Sequence, residues 1–271
     1  MPLIDLGTRC LLQIHGPDAI RYLNGQVTQD VRLLAKEPAK ALPAFVTDAK
    51  GRLQGYVTMY LRKHEPLTLW VEAPQELREI MFARLSRYLI ADDAEIDDVS
   101  EEYRLLHVIG EQPVDGDFFH PRYGLSGFDR WVPAAMAIDE ATLMSAEAAE
   151  ALRMENGIPL WGRELTEGML APEAGLEQQA ISYQKGCYIG QEVISRVKSA
   201  GKVNRTLTRF LLDSSSPVEA GTALLDESGT EVGVLTSIAH PHALGYLHKK
   251  GFGQTTFALA GGQGSCRIRE E

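Results

Sequence analysis

The sequence predicts an α+β protein with a small all-β unit at its C-terminal end. Three observations carry that reading. Residues 44–110 alternate strand-like runs with one amphipathic helix, the pattern of a sheet covered by a helix on one face. Residues beyond 201 hold only short apolar runs separated by turn residues, the signature of a small barrel or sandwich. Between them lies Lys185 to Glu192, KGCYIGQE, dense in chemistry and poor in packing residues.

In chain order, Leu3 to Ile14 reads as two short strands around Gly7. Pro17 near the first turn and Gly25 after the last frame a short helix over 19–24. NGQVTQDV, Asn24 to Val31, is polar and turn-like. It is either a solvated loop or a set of amides and a carboxylate, Gln26 and Asp30 among them, offered to a ligand. Ala44 to Thr47 is a strand, Asp48 to Gly51 a turn, and 53–61 with 67–71 a hairpin. Pro74 opens a helix to about Leu89 with Leu77, Ile80, Met81, Leu85 and Tyr88 on one face. Strands follow at 94–99 and 103–109, and Trp131 to Pro133 reads as an edge strand. A helix over 142–156, capped by Thr142, stops at Gly157. Val193, Ile194 and Val197 mark a short helix beginning near Gly190. The last part carries strands at 207–212, 223–225, 231–238 and 243–247, with one turn at 214–217. The character changes at 199–202, which divides the chain into residues 1–200 and 201–271.

Composition narrows the function. A net charge of −10, from 37 acidic and 27 basic residues, argues against a surface built to grip nucleic acid or anionic lipid. The three cysteines are far apart and form no C-x-x-C, so no zinc knuckle or complete iron–sulfur site is expected within one chain. Unpaired thiols suit a reducing compartment. No basic region leads into an apolar run and no apolar segment is long enough to cross a bilayer, so a cytoplasmic protein is expected; the sequence leaves the oligomeric state open, with a monomer favoured.

Cys187 and Lys185 are the candidate catalytic residues. A nearby cation and a following helix N-terminus both favour the thiolate. The alternative is a buried structural cysteine in a tight turn. A second cluster, RMENGIPLWGREL from Arg153 to Leu165, places Glu155 at a helix end. A carboxylate there can accept two parallel hydrogen bonds from an amino-pyrimidine edge, or it is simply a solvated helix-end acid.

NGQVTQDV, TDAKGRL (Thr47 to Leu53), R-x-E-N-G-I-P-L-W-G-R-E-L, APEAGL (Ala171 to Leu176), KGCYIGQE with Arg196 after it, and GVLTS followed by LGYL occur in this order along nearly the whole chain. In these segments the chain resembles the YgfZ-type folate-binding proteins of the glycine-cleavage T-protein superfamily. The resemblance implies ferredoxin-like α+β layers, with an inserted subdomain over about 44–110 and a C-terminal small β-barrel over 201–271. It implies tetrahydrofolate or a one-carbon derivative as cofactor and iron–sulfur client proteins as partners, in a role that supports iron–sulfur assembly or repair and, with it, tRNA modification. Glu155 resembles the pterin-reading carboxylate and Cys187 the signature cysteine. Lys185 and Arg196 are expected at the folate's anionic tail or at the thiol; Gln26, Asp30, Tyr188 and Gln191 complete the expected cofactor-binding set.

One departure bears on the reaction. Aminomethyltransferases of the superfamily carry an acidic pair on the hairpin strand, where this chain has Gly55 and Tyr56. A glycine and a phenol cannot steer an amine at neutral pH. The expected function is therefore a folate-binding accessory protein. Competing readings are a one-carbon transferase or demethylase using Asp30 or Asp48, a thiol enzyme pairing Cys187 with a histidine, and a scaffold with a vestigial pocket.

Overall fold

The computed structural model describes residues 2–110, 112–201, 203–213 and 217–269. The turn expected at 214–217 and the change of character at 199–202 lie partly outside them. The chain opens with β1 (Leu3–Gly7), β2 (Cys10–His15), α1 (Ala19–Gln26), α2 (Leu33–Lys36), β3 (Leu42–Thr47), β4 (Leu53–Lys63) and β5 (Thr68–Ala73). It continues through α3 (Arg78–Ser86), β6 (Glu95–Asp98), β7 (Tyr103–Ile109), β8 (Phe118–Phe119), β9 (Gly127–Pro133), α4 (Ala146–Asn156), α5 (Glu177–Ala180) and α6 (Gln191–Ala200). The last six strands are β10 (Arg205–Asp213), β11 (Ala223–Leu225), β12 (Glu231–Ala239), β13 (His242–His248), β14 (Thr256–Leu259) and β15 (Ser265–Ile268).

Three sheets result. One runs β3-β4-β5-β2-β6, a second β1-β7-β9-β8, and the third is a closed barrel, β10-β13-β12-β11-β14-β15. The first sheet does not coincide with a 44–110 insertion. β2, from before residue 44, sits between β5 and β6, and β7 leaves for the second sheet. The barrel closes through the two four-residue strands β14 and β15, which link β11 back to β10 and which carry too little pattern to be read from sequence.

Alternation along β4 decides the layering, because successive side chains of a strand point to opposite faces. Val57, Met59 and Leu61 join α1 and α3 in one core with Tyr22, Leu23, Met81 and Leu85. Tyr60 faces the other way and packs with Trp70, Leu11 and Phe118 against the second sheet. Each such large side chain, once fully buried, contributes roughly 1.5–3 kcal/mol. The sheet is therefore covered by helices on one side and by the second sheet on the other.

Three local expectations are revised. α1 runs through Gly25 to Gln26 and ends where Val27 turns extended and bridges Val46 of β3. Of the apolar face expected for the helix after Pro74, only Leu77, Met81 and Leu85 are buried, an i, i+4, i+8 ridge that begins just ahead of α3, while Ile80 and Tyr88 remain 48% and 41% exposed. α4 starts at Ala146 with Ser145 Oγ accepting from the Ala148 amide at 3.2 Å, and Thr142 belongs to a preceding turn. Its stop is as expected, with Gly157 left-handed at φ 70°.

The barrel docks onto α4 and its following loop through Glu164 of the GREL segment. This fully buried carboxylate accepts from Arg153 Nη1 at 3.2 Å, the Leu160 amide at 3.0 Å, Thr236 Oγ1 at 2.9 Å and Ser237 Oγ at 2.5 Å. Four donors from three segments offset its desolvation.

Candidate functional site: a cavity between the sheets and a thiol loop outside it

A cavity of about 350 Å³ opens where the first sheet, the loop after β8 and the segment after α4 meet. Tyr56 and Thr58 of β4 and Glu72 of β5 line one wall, His120 and Arg122 another, and Trp161 closes the side toward α4. The volume is that of a small-molecule site, and the lining is mostly apolar with a few polar groups. The β4 alternation that builds the core also aims these residues. Tyr56 points into the cavity, and Gly55 points at α3, where an added Cβ would lie 2.8 Å from Met81 Sδ. Of the two positions that carry acids in the transferases, only Tyr56 faces the cavity. Burial pushes its phenol up to about 12, so it is neutral at physiological pH.

The polar wall is one continuous network. Arg9, just ahead of β2, donates from Nε to Glu72 Oε1 at 2.7 Å. Arg122 Nη2 donates to Glu72 Oε2 at 3.1 Å and to Asp129 Oδ2 at 2.8 Å, and its Nε to Asp129 Oδ1 at 3.0 Å. Asp129 of β9, wholly buried, also meets His107 Nδ1 at 2.9 Å, His120 Nδ1 at 2.6 Å and the Tyr60 hydroxyl at 2.7 Å. Burial drives the Asp129 carboxyl upward, but Arg122 and the two imidazoles outweigh it and hold it well below the usual carboxylate range. Glu72 follows the same logic: burial opposes its charge, and Arg122 and Arg9 outweigh burial and lower its pKa. Burial pulls His107 down and keeps it neutral.

The KGCYIGQE loop lies elsewhere. Gly190, at φ 89°, begins α6 so close to the Asp48 carbonyl that a Cβ would stand 2.6 Å from it. Cys187 is exposed, whereas Cys10 and Cys266 are buried and pushed by that burial up to about 12. Lys185 is buried, and its ammonium donates to the carbonyls of Asn24, Val27 and Gln29 at 2.6, 2.8 and 2.7 Å. Burial pulls its pKa down toward about 7, opposed by Asp30. All three ammonium protons are thus spent on backbone, so Lys185 ties NGQVTQ to the thiol loop and has none left for a ligand.

None of the eight sequence-derived residues lines the cavity. Glu155 is exposed at the end of α4, and its backbone carbonyl accepts from Arg269. Gln26 is buried and accepts from Arg84 Nη1 at 3.0 Å. Asp30 is held by Arg32 at 2.8 Å. Tyr188 packs its ring in the core beneath α6 with its hydroxyl buried and unpartnered. Gln191 opens α6, and Arg196 is exposed on it. Arg9, Glu72, His120 and Arg122 were missed. The available signal was a carboxylate inside an apolar strand, Glu72 in LTLWVEA and Asp129 in GFDRWVP, since such an acid requires a buried cation.

Among the described residues no group of three or more His, Cys, Asp or Glu is placed to hold a metal ion, and no helix is long and apolar enough to cross a membrane. Two sheets, a cavity between them and an appended six-stranded barrel define the class. The chain is similar in structure to the glycine cleavage system aminomethyltransferase T from Bartonella henselae, with a TM-score of 0.82 and 16% identity over 99% of this chain and 85% of that one. It thus has the aminomethyltransferase T fold. No family model matches the chain. The tRNA-modifying protein YgfZ of Klebsiella pneumoniae (strain 342) is 30% identical over 254 residues, covering 83% of this chain and 76% of that protein. The tRNA-modifying protein YgfZ of Hamiltonella defensa subsp. Acyrthosiphon pisum (strain 5AT) is 28% identical over 261 residues, covering 83% and 75%. The chain belongs to the YgfZ family.

Proposed function

We propose that this protein binds tetrahydrofolate, or a one-carbon derivative of it, in the cavity between the sheets and acts as an accessory protein in the assembly or repair of iron–sulfur proteins. The cavity carries the reading: a small-molecule volume, aromatic walls from Tyr56 and Trp161, and a carboxylate and two guanidiniums for a polar heterocycle. Its Tyr56 supports a binding role over aminomethyl transfer, since a neutral phenol stands where an amine-steering acid is needed. The exposed Cys187 is the thiol that meets a client protein, as a ligand or a nucleophile, outside the folate cavity. A chain of net charge −10 fits tRNA modification, after which its relatives are named, through the enzymes it maintains rather than by gripping RNA itself.

Calorimetry with tetrahydrofolate tests the pocket. Ile158→Trp fills the cavity from the loop after α4 and is expected to weaken binding by at least about tenfold, close to 1.4 kcal/mol. Glu155→Ala is expected to bind as wild type does. The reverse pattern removes the cavity from the folate site. Cys187→Ser, folded and folate-binding, is expected to fail in restoring iron–sulfur enzyme activity to a deletion strain; full rescue rejects the thiol's role.

A further inference from the structure

We propose that the cavity wall formed by Arg9, Arg122 and His120 receives a carboxylate oxygen of the ligand, and that His120 takes up a proton as that oxygen arrives. The inference deepens the folate reading and rests on the cavity being the folate site.

The argument is a count of unspent hydrogen-bonding capacity. Asp129 is saturated by donors from within the protein, and Glu72 accepts from Arg9 and Arg122. Arg9 spends Nε and Nη2 on Glu72, and Arg122 spends Nε and Nη2 on Asp129, Glu72 and Tyr60. Among the described residues, Nη1 of both arginines has no protein partner. His120 is oriented by Asp129, whose oxygen lies 2.6 Å from Nδ1. That bond places the proton on Nδ1 and leaves Nε2 as the nitrogen without a protein partner. Nε2 is not among the buried atoms left without a partner, so it reaches the cavity that His120 lines. The comparison with His107 is instructive. Its Nδ1 meets the same carboxylate, but its Nε2 is sealed in the protein, so it has no access to a ligand.

The wall thus offers two guanidinium edges and one imidazole nitrogen. The groups facing His120 are Asp129, Arg122, Tyr60 and His107, with Glu72 and Arg9 beyond Arg122. An anion brought against Nε2 favours the imidazolium. The balance is simple: a buffer acid gives up its proton, an Nε2–H bond forms, and that N–H donates to the ligand oxygen.

The test is calorimetry at pH 7 in buffers of different ionisation enthalpy, using 5-formyltetrahydrofolate and pterin-6-carboxylate as probes. Wild type is expected to take up a substantial fraction of a proton, up to about one, per ligand bound. His120→Asn, whose amide can still donate to Asp129, is expected to bind without that uptake. Arg9→Gln is expected to weaken binding about tenfold, the worth of a charge-assisted hydrogen bond. Binding of 5-formyltetrahydrofolate with no uptake, or with uptake unchanged in His120→Asn, overturns this inference and leaves the folate reading standing. Binding of pterin-6-carboxylate alone, with uptake lost in His120→Asn, overturns the folate reading and supports the wall's role. Failure of both probes overturns both. Should His120→Asn not fold, the imidazole ¹⁵N shifts of wild-type His120 decide the matter: a shift to the imidazolium on ligand addition supports the inference, and no change overturns it.

Discussion

Replacing Asp129 with alanine is expected to cost about 3–5 kcal/mol of stability, the scale for removing one partner of a buried charge network. The carboxylate is wholly buried and meets Arg122, His107, His120 and Tyr60. Its loss strands the Arg122 guanidinium with only Glu72 as counter-ion and leaves two imidazoles and the Tyr60 hydroxyl proton without their acceptor. It also severs the tie between the sheets, because Tyr60 and Glu72 lie on the first and His107 and Asp129 on the second. Urea unfolding measures this; a loss below about 1 kcal/mol would mean the network contributes little net stability.

The same network sets an acid limit. His107 has a folded pKa below its ordinary 6.5, so the unfolded chain takes that proton first and stability falls as pH drops below about 6.5. Glu72 and Asp129 have folded pKa values below their ordinary ones. Their contribution is present above the ordinary carboxylate range and is lost as pH falls through the folded values. Wild type should therefore weaken in two stages on acidification, and Asp129→Ala should lose much of the second. Thermal melts between pH 8 and pH 3 test this; identical pH profiles for the two proteins would contradict it.

Lys185→Met is the second large effect. Methionine keeps the length of the side chain and removes three donors, leaving the carbonyls of Asn24, Val27 and Gln29 short of partners. At roughly 1 kcal/mol or more for each buried unsatisfied group, the expected loss is about 3 kcal/mol. The damage should be local. The Ile189 amide, bonded to the Gly25 carbonyl at 3.2 Å, should exchange faster with solvent, and Cys187 should be alkylated at an altered rate. Unchanged stability and labelling would return Lys185 to the role of a free cation beside the thiol.

How far the sequence reached differs from element to element. β7 and β11 were legible to the residue, since a run of strand formers between turn residues depends on local pattern alone. α6 and the stop of α4 were legible because Gly190 and Gly157 need a left-handed backbone. The far face of α3 was not, because Ile80 has the right spacing and the sheet simply does not reach it. Tyr56 was singled out only through the family resemblance, as one of two residues standing where the transferases carry acids. Arg9, His120 and Arg122 come from a pre-strand turn and a loop and carry no periodic signal. Glu155 and Cys187 are close to conspicuous motifs yet lie apart from the cavity.

Beyond the neutral residue in place of the transferase acid, which came from the family resemblance, the amino-acid sequence alone determined most of the order of strands and helices, the all-β unit at the C-terminal end, and the prominence of the one thiol that proves exposed. These follow from local pattern and residue chemistry, which need no knowledge of the rest of the chain. Only the tertiary structure decided which groups share the cavity and what Lys185 does. Glu72 and Asp129 remain charged in the interior only because Arg9 and Arg122, distant along the chain, are folded against them.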